Sequence, residues 1–216
     1  MIVTEQKPIR EILEMLSEFK KVFLVGCDDC AKDCRTGGEE EVLKMKEFLE
    51  ENGKLITGFV IPEVTCYASQ IRTQFAKNKE QLKDAEVILV LACGSGVQSV
   101  RENDRFSHLI FPGCNTLFGA LVDSQGNFKE VCSACSECIL DLTGGICPVS
   151  LCPKSLLNGP CGGVNKGKCE TDKEKDCAWV LIYRRLEEKK RLDLLRRILP
   201  AKDYSKTMRP HKLLIT

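Results

Sequence analysis

Histidine is nearly absent from this chain: His108 and His211 are the only two among 216 residues. That scarcity argues against zinc sites built on two or three imidazoles, and against most hydrolytic machinery that pairs a Ser or Cys nucleophile with a His base. Excess charge is missing too. Thirty-two Lys and Arg stand against thirty-one Asp and Glu, a net +1, so the overall charge gives no reason to expect nucleic acid or an anionic membrane as partner. Long apolar runs are also lacking. The longest, residues 87–93, has seven residues, against the roughly 20 needed to cross a bilayer. Residues 1–21 carry charges throughout, in place of the apolar stretch and small-residue cleavage site of a secretory signal. The expectation is a cytoplasmic protein with no membrane span.

What the chain does have is cysteine, fourteen in all. That is about 6% of the chain, short of the roughly 8 to 10% of a disulfide scaffold, and a chain of this length can build a core without such staples. In a reducing cytosol cysteines persist as thiols or metal ligands. The composition therefore predicts thiolate chemistry.

Apolar residues at Ile12, Leu13, Met15, Leu16 and Phe19 have helical spacing, and the continuous run 22–25 reads as a buried strand ending at Gly26-Cys27. Residues 38–51 form a helix with an acidic first turn, closed by Asn52-Gly53. A second strand at 55–61, a polar helix at 67–83 and a third strand at 87–92, ending at Cys93-Gly94, complete a β-α-β-α-β order. This alternation predicts an α/β fold: a small parallel sheet with helices on its faces, whose sites gather at the C-terminal ends of the strands. A fourth strand at 108–111 and a hairpin at 121–128 follow.

Composition shifts at about Val131. From there to Cys177, forty-seven residues hold eight cysteines and six glycines, too little apolar surface to fold unaided, so bound metal is expected to organise the segment. Two domains result: an α/β domain at 1–130 with the first cysteine cluster, and a cysteine-rich metal-binding region at 131–216 that ends in a basic helix, 178–199, stopped by Pro200. Residues 179–216 carry eleven Lys or Arg against four acidic residues, a local +7, read as a solvated helix face or as a docking surface for an acidic partner.

Two cysteine runs carry the chemistry. Cys27-x2-Cys30-x3-Cys34 leaves the first strand on a tight loop, and three thiolates that close can share one centre. Cys93 is the expected fourth ligand, because the third strand in such a sheet lies beside the first; Cys66, after the second strand, competes for the place. The spacing reverses the C-x3-C-x2-C of radical enzymes, so no radical chemistry is inferred. Cys132-x2-Cys135-x2-Cys138 shares the spacing of the first three cysteines of a bacterial ferredoxin run. There the closing Cys-Pro comes after three residues. Here Cys147-Pro148 comes after eight, so the longer loop delivers either Cys147 or Cys152. The centre is read as a 4Fe-4S cluster, with a four-thiolate zinc ion as the alternative. Cys161, Cys169 and Cys177 are spare ligands, a third centre or small core residues, and Cys114 is assigned to packing. Thr36-Gly37-Gly38 and Thr143-Gly144-Gly145 each flank a cluster; their glycines either let backbone amides reach sulfur or form ordinary turns. Gly94-Ser95-Gly96-Val97-Gln98-Ser99 departs from the dinucleotide fingerprint at its last position and is not read as a nucleotide site.

The runs at 25–39, 91–94, 143–148, 157–163 (with Asn158-Gly159-Pro160-Cys161-Gly162-Gly163) and 176–179 (Asp176-Cys177-Ala178-Trp179) resemble the C-terminal-domain family of methylenetetrahydrofolate reductase, in which the cysteine-rich chain occurs as a separate, MetV-type subunit. The resemblance implies a partner, a MetF-type flavin-containing TIM barrel that binds the folate and performs the reduction, and a cysteine-rich subunit carrying one or two 4Fe-4S clusters, with zinc also proposed. A (β/α)8 barrel needs about 250 residues and nothing of its kind is evident here, so no complete active site is expected in this chain. The expected function is electron transfer from ferredoxin or a similar donor to the partner's flavin, in one-carbon metabolism. Cys27, Cys30, Cys34 and Cys93 would hold one cluster, and Cys132, Cys135, Cys138 and Cys147 another. The alternative is a zinc-binding assembly subunit of the same complex without a redox role.

Overall fold

Alternation of apolar side chains governs the first half of the chain. In the computed structural model, which describes residues 1–211, the chain divides into two compact units, Met1–Phe118 and Gly119–Thr216. The last residues of the basic tail, 212–216, lie outside the described residues.

The first unit runs β1 (Ile2–Gln6), α1 (Ile9–Met15), β2 (Lys21–Val25), α2 (Cys30–Asp33), α3 (Glu39–Glu51), β3 (Leu55–Val60), α4 (Ala68–Lys77), α5 (Lys79–Asp84), β4 (Val87–Val90), α6 (Gly94–Asn103), β5 (Leu109–Pro112) and β6 (Cys114–Gly119). Strands β3-β2-β4-β5 form a four-stranded sheet, parallel throughout. Successive strand residues face opposite sides of a sheet. Val22, Leu24, Val87 and Leu89 accordingly pack with Ile12 of α1, with Leu16 just beyond its end, and with Val42, Met45 and Leu49 of α3. Phe23, Val25, Ile88 and Val90 pack on the other side with Ile71, Phe75, Leu82 and Val100 from α4, α5 and α6. Both faces being covered, the central strands read as continuous apolar runs. The sheet the sequence predicts is present, with β2 between β3 and β4.

Two details depart from expectation in this unit. The single helix expected at 67–83 is two, because Asn78 caps α4 with its side-chain amide donating to the Gln74 carbonyl at 2.9 Å and then opens α5. The N-terminal residues form a strand, β1, paired with β6 in a second, two-stranded sheet.

The second unit begins with the expected hairpin, β7 (Leu121–Val122) against β8 (Phe128–Lys129), and contains α7 (Pro148–Leu151) and α8 (Ala178–Glu188). The basic helix expected to continue to Pro200 stops at Glu188. Lys190 takes a left-handed backbone, φ 55°, and a 3-10 turn at Leu192–Arg196 follows. The reversal lets Leu192, Leu194 and Leu195 pack back on the small core formed by Cys177, Trp179, Ile182 and Leu186, which one straight helix would carry into solvent. Trp179 is anchored in that core by its indole N–H donating to the Leu156 carbonyl at 2.9 Å. Among the described residues no helix is long and apolar enough to cross a membrane.

One glycine shows how tightly the sheet edge is built. A Cβ on Gly37 would stand 1.8 Å from the Leu91 carbonyl oxygen, a backbone atom beyond the end of β4. Gly37→Ala is therefore expected to cost about 1–3 kcal/mol, the range for an overpacked core, read as a lower urea midpoint; an unchanged midpoint would contradict this packing.

Candidate metal centre

Each of the four parallel strands runs on into a cysteine: β2 into Cys27, β3 into Cys66, β4 into Cys93 and β5 into Cys114. Parallel strands end on the same edge, so the four thiols share it. Backbone hydrogen bonds beyond the strand ends hold the loops together. Asp28 N–H donates to the Pro62 carbonyl at 2.9 Å, Leu91 N–H to the Val25 carbonyl at 2.7 Å, and the Thr65 hydroxyl to the Gly26 carbonyl at 2.6 Å. These bonds seat Cys27, 7% exposed, between the loops that carry Cys66 and Cys93. Burial pushes the Cys66 thiol above its ordinary value, and the neighbouring Cys93 and Cys27 add to the effect. Both candidates for the fourth ligand thus follow strands that flank β2, the strand that leads into Cys27.

Cys30 and Cys34 lie one turn apart, with Cys30 opening α2 and Cys34 closing it, and both meet β1. The Ile2 N–H donates to Cys30 Sγ at 3.4 Å and the Thr4 N–H to Cys34 Sγ at 3.5 Å. Burial raises the Cys30 thiol, with Asp29 and Cys27 adding to it against the Ile2 amide. Amides aimed at sulfur stabilise thiolates and tune the potential of any cluster they hold. The Thr-Gly-Gly turns do not supply them. The Thr36 and Gly37 amides both donate to the Ala31 carbonyl, and the Gly145 amide to the Leu140 carbonyl. Gly37 serves close packing, and Gly144 and Gly145 serve turns at φ 62° and 85°.

In the second unit Cys132, Cys135 and Cys138 lie on a loop whose Ala134 and Ser136 adopt left-handed backbones, φ 52° and 64°. The Ala134 N–H donates to Cys132 Sγ at 3.4 Å. The tail folds over this loop: the Ser136 hydroxyl donates to the Lys206 carbonyl at 3.0 Å, Lys206 pairs with the Glu137 carboxylate, and Lys202 donates to the Glu137 carbonyl. Burial alone would push the Cys135 thiol up, but the Lys202 ammonium beside it brings the thiol below its ordinary value. Part of the basic tail is thus spent within its own unit. Cys147 caps α7 and donates to the Ser150 hydroxyl at 3.8 Å. Cys152, at the other end of α7, and Cys161 line one small cavity together with Cys169 and Cys177. Cys169 and Cys177 carry no diagnostic spacing, and the folding of the loop is what brings them there.

All fourteen cysteines are free thiols. Among the described residues no three His, Cys, Asp or Glu side chains converge tightly enough to hold one metal ion as they stand. The amide N–H groups aimed at sulfur near this edge reach Cys30 and Cys34, at the two ends of α2. The Gly94–Ser99 turn is the first turn of α6, and Gly96 is needed there because a Cβ would meet Ala92 Cβ at 2.9 Å.

Cys114 differs from its neighbours on this edge. It is 4% exposed, its Sγ donates to the Thr36 carbonyl at 3.5 Å, and burial pushes the thiol up to about 12. Because the thiolate is the nucleophile, iodoacetamide acting on the folded, metal-free chain at pH 8 is expected to label exposed Cys66 and leave Cys114 unmodified, as read by peptide mass mapping. Equal labelling of the two would contradict the buried placement.

No curated protein and no solved structure matches the chain. Residues 111–205, which span the Cys132–Cys138 loop, both ends of α7 and the four cysteines around the small cavity, match the family described as "Methylene-tetrahydrofolate reductase C terminal".

Proposed function

We propose that this chain is the iron-sulfur electron-transfer subunit of a methylenetetrahydrofolate reductase complex, passing electrons from ferredoxin or a similar donor to the flavin of a MetF-type partner. The family match over residues 111–205 carries the reading. The gathering of thiols at one sheet edge supports it, since a chain with fourteen cysteines, all free, and two histidines is equipped for thiolate ligation and poorly equipped for acid-base catalysis. The parallel sheet has four strands where a barrel for folate and flavin takes eight, so those sites are assigned to the partner. Free thiols in this number suit a reducing, cytoplasmic compartment.

Cys27, Cys30, Cys34 and Cys93 are assigned to one 4Fe-4S cluster, with Cys66 as the competing fourth ligand. Cys132, Cys135, Cys138 and Cys147 are assigned to the other. A bound cluster of this type accepts and releases one electron at a time. The chain's part is to supply thiolates, to direct the Ile2 and Thr4 amides at Cys30 and Cys34, and to limit water at Cys27 by burying it. At the second position Lys202 offsets thiolate charge beside Cys135, which favours the more negative, reduced state less weakly than an uncompensated site would.

Anaerobically purified chain is expected to contain iron and acid-labile sulfide and to bleach on adding dithionite. Cys27→Ser should remove about four iron and four sulfide per chain, one cluster's worth, while Cys114→Ser leaves iron content unchanged. The chain alone should not reduce methylenetetrahydrofolate. Colourless, iron-free protein that carries stoichiometric zinc would replace this reading with a structural, assembly role.

A further inference from the structure

A cavity of about 360 Å³ lies in the second unit, and none of its lining residues is a cysteine. Its size falls within the roughly 300–1,000 Å³ of ordinary binding pockets. Helix α8 contributes Trp179, Val180 and Tyr183 to it, and the segment beyond the break in α8 contributes Leu195, Arg197 and Ile198. These parts are held in place. Asn158 exchanges two hydrogen bonds with the Leu199 backbone, at 2.9 and 2.7 Å, and the Trp179 indole donates to the Leu156 carbonyl at 2.9 Å. A second cavity, of about 310 Å³, shares Leu142, Leu157, Arg197 and Leu199 with the first and extends to Cys138. Together they form a groove that leads from α8 to the Cys132–Cys138 loop.

Exposure and charge say what covers this groove. Ile198 is 76% exposed and Tyr183 46%; a small molecule sunk in the cavity would leave their outer faces in water, whereas a protein surface laid across the groove covers them. Trp, Tyr and Arg beside a pocket are also the residues in which interface energy concentrates. Arg185 pairs with Glu188 and Arg191 with Asp193, but Arg184 and Arg197 pair with no carboxylate among the described residues. Arg197 lines the first cavity, and Arg184 lies beside Val180: a Cβ at Gly167 would stand 3.5 Å from Arg184 Nη2 and 3.7 Å from Val180. No acidic residue lines the first cavity, and the carboxylates of the adjoining one are Asp141 and Glu137, the latter paired with Lys206. Two unpaired guanidinium groups beside an apolar groove complement a partner whose apolar anchors are flanked by carboxylates.

We propose that this groove is the surface on which the MetF-type reductase subunit docks, through a segment with bulky apolar side chains flanked by Asp or Glu. In naming that subunit the proposal rests on the electron-transfer reading; the apolar groove and its unpaired cations stand without it. Because the groove ends at Cys138, a partner seated on it meets the Cys132–Cys138 loop, where that reading needs it.

The test mixes the anaerobically purified full chain with the MetF-type subunit of the same organism and measures the dissociation constant for wild type, Ile198→Asp and Arg197→Glu. Arg72→Glu, an exposed position on α4 in the first unit, is the control for charge. Ile198 and Arg197 are both exposed, so the variants should fold, with metal content equal to that of the wild type. Both are expected to weaken binding about tenfold or more, as interface anchors do, and the control to leave it unchanged. Wild-type binding should weaken as salt rises, and that of Arg197→Glu less steeply. A complex that both variants form as tightly as the wild type overturns the docking surface and leaves the electron-transfer reading standing. An iron-free chain that still forms an Ile198-dependent complex supports the surface and sinks the electron-transfer reading alone. Absence of any complex with the wild-type chain overturns both. A homodimer of the wild-type chain that Ile198→Asp dissociates gives the groove to a second copy and overturns the proposal.

Discussion

The parallel pairing of β2 with β3 on one side and β4 on the other is the constraint on which the first unit depends. It is set by alternation, Val22 and Leu24 to one face and Phe23 and Val25 to the other, and buried apolar strands pair where both faces can be covered. Once that pairing exists, the strand ends fall on one edge, and the loops leaving them carry Cys27, Cys66 and Cys93 to neighbouring places. Hydrogen bonds from Asp28 to Pro62 and from Leu91 to Val25 lock the loops. Burial of hydrocarbon therefore positions the sulfur, and the chemistry at the edge inherits its precision from the core beneath it.

The second unit solves the same problem with less apolar material. Its core is four buried residues with a fringe of leucines, and α8 has to break at Lys190 so that the leucines beyond it can join. Polar clamps supplement this core. Glu137 is held by Lys202, Lys206 and the Asp203 amide, and Asn158 exchanges two hydrogen bonds with the Leu199 backbone, at 2.9 and 2.7 Å. Exposed ion pairs of this kind contribute little singly. A unit built this way gains in stability from any ion that binds the folded form and not the unfolded one.

Much of the first unit was legible in the sequence, because strand and helix periodicities are strong where both faces of a sheet are buried. The runs at 22–25 and 87–90 and the helix at 39–51 are read directly from residue type, and the pairing of the strand that leads to Cys93 with the strand that leads to Cys27 follows from sheet order alone. Other features depend on partners distant in sequence. β1 is too short and polar, Ile-Val-Thr-Glu-Gln, to announce itself without β6 beside it. The break in α8 comes from the packing of Leu192, Leu194 and Leu195, and propensity gives no sign of it. The choice between the two readings of the Thr-Gly-Gly turns rests on the same dependence: Gly37 is needed because Leu91 passes within contact of it, and the amides that reach sulfur belong to Ile2, Thr4 and Ala134. Cys169 and Cys177 join Cys152 and Cys161 only through loops whose spacing is not diagnostic.

The electron-transfer account is tested most directly by a potentiometric titration of the anaerobic full chain, followed by low-temperature EPR in parallel with Cys27→Ser. It predicts a reducible iron-sulfur signal in the wild-type protein, with one component missing in the variant and the rest unchanged. A wild-type chain that takes up no electron at any potential down to that of dithionite would contradict it.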